Sequence, residues 1–596
     1  MKSRTYGWVQ NPSDFKKLKT VVQIFDSTSQ HYKKLRTKLI SDYIPIKKVR
    51  EGLLAKLAKN IEKFSYTELV GTSQDITGKP AKTRKDAVAD ALIQVSISSQ
   101  SAKTSGKLWT DNWSADGYLR WALSLNFVKH DRESDICSIT ELGKQFSKSA
   151  DDSEDEIEIL RQALLCYPPA TQVLNILNSY SIPVNKFRIG NQLGFSGEKG
   201  FTSYDEDIML NWFKTGTKDE QKKIKSDVEG TSDKYARMIA SWLSKVGFVK
   251  KHTSLVDTIN GEKAGFPEFS ITGKGSHALK QAHGSSSNAR VEKYLTWEFL
   301  AVDGKNKDYV RTRRAYLLKI LQSTKSFTSL LKQLKDLGFN DDLKIIENDI
   351  TGLNNFGIRI EKNNNSIHLK DKISDFSIPV LNITKKLKDE AIENLKVEFL
   401  NKTRLPMKYI ELLEIAYDGK RNRDFEILTA DLFKNIYGLN SILLGGSRKP
   451  DCVIFTNKFG VIIDTKAYEN GYSKSISQED EMVRYIEDNQ YRDKTRNSTE
   501  WWEHFDKHIP SDKYYFLWVS SKFTGQFNEQ LKSTSRRTNT KGAALNVEQL
   551  LLGAAAVKFG TLDINNIQNY INNTEIYWKN ICLLYTSDAA DELDGV

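Results

Sequence analysis

Two short apolar runs, Cys452-Val453-Ile454-Phe455 and Val461-Ile462-Ile463, are separated only by Thr456-Asn457-Lys458-Phe459-Gly460. A Gly-containing connection of five residues between β-branched runs predicts an antiparallel hairpin. That pairing has a chemical consequence. Asp451 opens the first strand and Asp464 closes the second, so folding back brings the two carboxylates to one end. Residues two apart on a strand share a face, so Asp464 and Lys466 project together. Two acids and one ammonium converge.

Hard oxygen donors suit Mg²⁺, which prefers octahedral oxygen ligation and keeps several waters. The candidate ligands are Asp451, Asp464 and the backbone carbonyl of Thr465, with phosphate oxygens completing the shell. Lys466 is then placed to orient a metal-bound water for in-line attack on a phosphodiester and to offset charge in the transition state. Asp451, Asp464 and Lys466 are therefore the candidate catalytic residues, in the pattern PD-x₁₂-DxK. Taken alone, the same letters also describe a Pro-Asp turn and an ordinary strand end. Glu426, in DFEILTADLF, has two readings, a further carboxylate or a solvated helix residue, and the second is the plainer. The glycines of Leu444-Gly445-Gly446-Ser447 either let a phosphate approach or simply make a loop.

Around this hairpin, residues 385–581 alternate helical patterns with apolar runs: ILTADLFKNIYG, DCVIF, GVIIDTKAY, KYYFLWVSS and GAALNVEQLLLGAAAVKFG. That alternation predicts an α/β domain. Upstream, three stretches each join an amphipathic helix to a short β pair: DGYLRWALSLNFVKH (116–130), DKYARMIASWLSKVGFVKK (233–251) and NDITGLNNFGIRIEKNNNSIHLK (348–370). This is the outline of a winged helix-turn-helix, and three of them would make a modular DNA reader. Between 374 and 384, SDFSIPVLNIT has a lone proline and no periodicity, as a linker would. A chain of 596 residues exceeds one ordinary core, so several domains are expected.

Charge narrows the partner. Lys and Arg exceed Asp and Glu by 88 − 76 = +12, which favours an anionic polymer, nucleic acid first. The four cysteines, Cys137, Cys166, Cys452 and Cys582, and the eight histidines show no zinc spacing and no disulfide framework, which fits a reducing cytoplasm. The start, MKSRTYGWVQNP, has no apolar signal core, and no run reaches the roughly 18 apolar residues of a membrane span. Residues 582–596, CLLYTSDAADELDGV, resemble an in-frame sequencing-adapter translation and are set aside from the fold.

The chain also resembles the FokI family of type IIS restriction endonucleases, from residue 4 to about 578. The resemblance is carried by GWVQNP (7–12), DNWSADGYLRWA (111–122), LGFSGEKGFTS (193–203), SDKYARMI (232–239), YVRTRRA (309–315), YIELLEIA (409–416), GGSRKPD (445–451), DTKAY (464–468) and DEMVRYIEDNQ (480–490). It implies a multidomain α+β chain: helix-turn-helix-like recognition subdomains over 1–152, 153–292 and 293–373, a linker over 374–384, and an α/β PD-(D/E)xK cleavage domain over 385–581. It also implies that Asp451, Asp464 and Lys466 are catalytic and that Mg²⁺ is the cofactor. Double-stranded DNA would be the partner, with a site of GGATG and a staggered cut at a fixed distance outside it. A cognate DNA adenine methyltransferase would belong to the same system without binding the enzyme, and the setting would be a prokaryotic cytoplasm.

Base-reading positions by the same resemblance are Gln10, Asn11, Arg84, Gln100 and Trp113 in the first subdomain and Glu229, Lys234 and Arg237 in the second. Their chemistry suits the role: Arg and Lys donate to guanine, Gln and Asn pair with adenine, and a carboxylate accepts from cytosine. Alternatively, Trp113 belongs to a core, and Lys234 and Arg237 touch only phosphate. KSDVEG (225–230) and the stretch around 72–85 depart from the family pattern.

One such site cuts one strand, so a double-strand break calls for a second site placed by symmetry. Asp480 and Arg484, four apart on one helix, could pair with their counterparts across a two-fold axis in a transient homodimer on DNA, or simply with each other. Two other classes remain: a DNA-binding regulator with an inert nuclease fold, and a repair nuclease that reads DNA shape.

Overall fold

The computed structural model describes all residues except 1–13, 100–107, 196–204, 222–231, 259–260, 262, 285–288, 302–305, 380–389, 447, 474–475 and 579–596. The segment set aside at 582–596, with Cys582, therefore lies outside the described residues, as do residues 380–384 of the expected linker.

All three helix-then-hairpin stretches fold as the patterns predict. In the first, α1 (Asn112–Ser124) leads to β1 (Val128–Asp131) and β2 (Ile136–Ile139), with Lys63–Ser65 adding a third strand against β2. The side chain of Asp111 caps α1, its Oδ1 accepting the Ser114 N–H at 2.9 Å. In the second unit, α2 (Glu206–Thr215) precedes α3 (Ser232–Lys245), which leads to the long hairpin β3 (Val249–Asp257) and β4 (Lys263–Ile271). In the third, α4 (Lys307–Leu321) packs near α5 (Leu343–Phe356), followed by β5 (Ile360–Asn363) and β6 (Ser366–Leu369).

The first two wings close identically. Thr140 donates its N–H to the Phe127 carbonyl and accepts the Gly143 N–H at the start of the next helix, each at 3.0 Å. Thr272 does the same with Phe248 and Gly275, again at 3.0 Å. A Cβ at Gly143 would stand 2.0 Å from the Phe127 oxygen, and one at Gly275 2.1 Å from the Phe248 oxygen, so only glycine permits this approach. Trp121 and Trp242, each seven residues before the first strand of the corresponding wing, stack at 4.8 Å between the units. One apolar core runs through all three units. Within the third, Arg313 and Arg314 of α4 both donate to the buried Asp349 of α5, at 2.6 and 2.7 Å.

In the C-terminal half, α6 (Asn422–Asn435) precedes β7 (Asn440–Leu443), β8 (Cys452–Phe455) and β9 (Gly460–Lys466). Then follow α7 (Ile476–Tyr491), β10 (Tyr514–Ser520), α8 (Phe527–Thr538), β11 (Gly542–Asn546), α9 (Val547–Lys558) and β12 (Thr574–Glu575). The sheet order is β7-β8-β9-β10-β11-β12, with β7 to β9 paired antiparallel and β9 to β12 parallel. Both faces are covered, which is why these strands read as continuous apolar runs. Cys452, Ile454, Val461 and Ile463 face the core under α6 and α9, while Val453 and Ile462 face Trp501, Trp502 and Trp518 under α7 and α8.

The second recognition unit is docked on this half. Ile208, Met209, Trp212 and Phe213 of α2 join the core beneath the sheet, and Lys434 of α6 bridges Asp205 and Asp207 at 3.0 and 2.9 Å.

Candidate active site

The predicted hairpin forms, with Cys452 opposite Ile463 and Phe455 opposite Gly460; its connection is residues 456–459, one shorter than expected, because Gly460 already pairs in β9. Asp451, one step before β8, therefore meets the end of β9. Its Oδ2 accepts both the Thr465 N–H at 2.6 Å and the Thr465 hydroxyl at 2.9 Å. Thr465 thus has an observed part in holding Asp451. Lys466 donates to Asp464, with Nζ 2.9 Å from Oδ1 and 2.8 Å from Oδ2. The three side chains share one end of one hairpin.

Glu426 is the correction. The plainer reading made it a solvated helix residue; α6 instead turns it inward, beside the carboxylates. Burial, then the negative charges of Asp451 and Asp464, push its carboxyl up to about 8, against the pull of Arg423, which donates to it. The Asp464 carboxyl is pushed up to about 7, by burial first and by Asp451, with Lys466 opposing. Lys466 is raised as well: burial works against its charge, but Asp464 and Asp451 outweigh it. The three acids thus raise one another, with only Arg423 and Lys466 to offset their excess of negative charge.

That excess is the test of fit for a divalent ion. Among the described residues no group of three or more metal-ligating side chains is assembled into a cage. Mg²⁺ needs no such cage, since one or two carboxylates plus water, carbonyl and phosphate oxygens suffice. Asp451 and Asp464 fit that requirement, and Lys466 stands beside them.

A buried clamp supports the loop before Asp451. Asn497 donates from Nδ2 to the Arg448 carbonyl and to Asp488, both at 2.8 Å, and Arg496 Nε donates to Asp488 at 3.1 Å. Arg448 is left-handed, with φ of 64°. Nothing in the sequence marked Asn497. Arg423 could have been suspected, because it lies three residues from Glu426 on one helix face.

Of the predicted base-reading residues, Gln10, Asn11, Gln100 and Glu229 lie outside the described residues. Arg84 donates to Asp111, the residue that caps α1. Trp113 is 40% exposed, so the core reading is wrong for it: as the second residue of α1 its ring faces away from the packed side. On α3, Lys234 is buried and Arg237 half-buried. The intrahelical pair of Asp480 with Arg484, the plainer alternative to a pairing across a two-fold axis, is not the one the structure shows. Asp480 pairs instead with Arg537 of α8 at 2.8 Å, because α8 packs along α7. Arg484 is exposed, its guanidinium 5.6 Å from the centre of the Tyr485 ring.

Comparison with known proteins gives these features a family. Four family models match in chain order: FokI recognition domain subdomain 1 over 4–149, subdomain 2 over 156–287, the FokI D3 domain over 300–365 and the FokI cleavage domain over 386–577. The type II restriction enzyme FokI of Planomicrobium okeanokoites is 41% identical over 587 residues, covering 96% of this chain and 99% of that one. The type II restriction enzyme StsI of Streptococcus sanguinis is 30% identical over 604 aligned positions, covering 96% of each. The solved structure of FokI superposes with a TM-score of 0.85 at 40% identity, covering 96% of this chain and all of that one. FokI bound to DNA superposes at 0.86 and 41%, covering 97% of this chain and again all of the other. With three recognition subdomains ahead of a PD-(D/E)xK cleavage domain, the chain belongs to the FokI family of type II restriction endonucleases.

Proposed function

We propose that the chain is a Mg²⁺-dependent type IIS site-specific deoxyribonuclease, which binds a short asymmetric site, GGATG by family resemblance, and makes a staggered break outside it. The observation that carries this reading is the convergence of Asp451, Asp464 and Lys466 at one hairpin end with an excess of buried negative charge. Asp451, Asp464 and the Thr465 carbonyl would hold the ion, which when bound supplies an activated water and neutralises phosphate charge. Lys466 holds Asp464 and would donate toward the attacked phosphate; Thr465 fixes Asp451; Glu426, raised to about 8 and tied to Arg423, is held largely protonated beside them.

Sequence reading belongs to the recognition half, with Gln10, Asn11, Arg84, Gln100, Trp113, Glu229, Lys234 and Arg237 as its proposed contacts. Arg84 must exchange Asp111 for a base to take part. Double-strand cutting uses a transient homodimer on DNA through the helix bearing Asp480 and Arg484. Among the described residues no helix is long and apolar enough to cross a membrane. The proposed setting is a bacterial cytoplasm, with a cognate adenine methyltransferase protecting the host site.

The test is cleavage of a sequenced plasmid in Mg²⁺. Asp464→Ala and Lys466→Ala should each lose at least about 100-fold in cutting rate while still binding the site. Wild-type protein that binds one sequence and never cuts would instead fit a regulator.

A further inference from the structure

The turn between β7 and β8 carries two glycines and a lysine, and all three face something other than the cleavage domain's own core. Gly446 has φ of +97°, and a Cβ there would lie 2.2 Å from Oε1 of Glu220, a residue of the second recognition subdomain. Lys449, whose side chain is 2% exposed, donates from Nζ to Oε2 of the same carboxylate at 3.0 Å. That oxygen also accepts the Thr217 N–H at 2.8 Å. Next to it, a Cβ at Gly445 would lie 2.5 Å from Arg423 Nη1, and the Arg423 guanidinium sits 3.9 Å over the Trp212 ring. The turn itself is closed by Leu444 and Gly445 N–H groups donating to the Asp451 and Pro450 carbonyls. One anion therefore rests in a side-chain-free hollow against a lysine, two residues before Asp451.

A carboxylate in such a place makes the same demands as a phosphate oxygen: close approach to backbone and one ammonium. We infer that Gly446 and Lys449 form a DNA-backbone phosphate site, that Lys449 positions the strand to be cut, and that Glu220 fills this site as an internal phosphate surrogate. This rests on the reading of the chain as a DNA-cutting enzyme. Substrate and Glu220 cannot hold Lys449 together, so the carboxylate must leave before the strand seats.

The two partners of this one ion pair then have opposite roles, which an interface pair would not. The full-length protein is assayed in Mg²⁺ on a supercoiled plasmid carrying one recognition site and on a site-free plasmid. Glu220→Gln should nick the site-free plasmid several-fold faster than wild type. Lys449→Gln should cut the site-bearing plasmid about tenfold slower, the scale of one lost charge-assisted contact. Its KM should also lose about one unit of salt slope, as expected when one phosphate contact is removed. The double variant should be as slow as Lys449→Gln, and Lys449→Arg should stay near wild type, which separates lost charge from lost folding. If Lys449→Gln instead speeds site-free nicking as Glu220→Gln does, the pair is a docking contact only and the phosphate site is refuted. Unchanged cutting and salt slope in Lys449→Gln would refute it equally. Wild-type protein that cuts neither plasmid would fail the enzymatic reading itself, a distinct result.

Discussion

Replacing Asn497 by Ala should disable cutting through a residue that touches none of the reacting groups. Its amide nitrogen makes two bonds of 2.8 Å, to the Arg448 carbonyl and to Asp488, which is 1% exposed. Losing a donor to a buried carboxylate costs about 1.5–3 kcal/mol, whereas the Arg448 carbonyl, on an exposed residue, regains water; Asp488 keeps Arg496, so a total of about 2–3 kcal/mol is expected. For a domain of this size that lowers Tm by about 4–12 °C. The kinetic effect is separate. Arg448 holds a left-handed φ of 64° that costs a non-glycine residue about 1–2 kcal/mol, so the freed loop relaxes and shifts Asp451 with it. A displacement near 1 Å lowers turnover by about 100-fold. The assay pairs calorimetric melting with single-turnover cleavage of a one-site plasmid at a temperature where the variant is folded. Adding Arg448→Gly, which removes the strain, should recover part of the rate. A variant that melts early but cuts at the wild-type rate would refute the link between clamp and Asp451.

Asp349→Ala leaves Arg313 and Arg314 buried without their shared carboxylate, so the recognition half should lose at least about 3–5 kcal/mol, read as an earlier melting transition. Burial works against the Asp349 charge, yet the two arginines hold its carboxyl below the usual range; this stability is therefore present above about pH 4 and lost as pH falls through the folded value. Metal affinity should fall as pH falls through about 7, because the Asp464 carboxyl pushed up to about 7 must release its proton to bind: roughly tenfold per pH unit per proton displaced, measured by Ca²⁺ calorimetry, with a flat profile counting against it. Arg484→Ala should weaken double-strand cutting at low enzyme concentration without weakening site binding, and wild-type cutting there would move the dimer contact elsewhere. It is a cleaner probe than Asp480→Ala, which also takes a partner from Arg537 and leaves it with Glu479 alone.

The hairpin was legible because its information is local: connection length, strand alternation and the positions of Asp451, Asp464 and Lys466 are all short-range facts. The three wings were legible for the same reason. Glu426 was not, since whether a helix residue faces solvent or a sheet depends on what packs against α6. Asn497 lies 33 residues beyond Asp464 and reaches Arg448 only through tertiary folding. Asp480 illustrates the converse, for local spacing offered Arg484 while a neighbouring helix supplied Arg537. In GAALNVEQLLLGAAAVKFG the strand-to-helix break falls at Asn546, whose side chain accepts the Gln549 N–H and so starts α9.

The matched threonine and glycine closures at Thr140/Gly143 and Thr272/Gly275, with their tryptophans face to face, carry the marks of one ancestral module copied in tandem and joined back to back. Copies that meet through equivalent side chains inherit a ready-made seam. Each can then diverge on its outward surface, and acquire new bases to read, while the seam keeps the pair at constant spacing along the duplex.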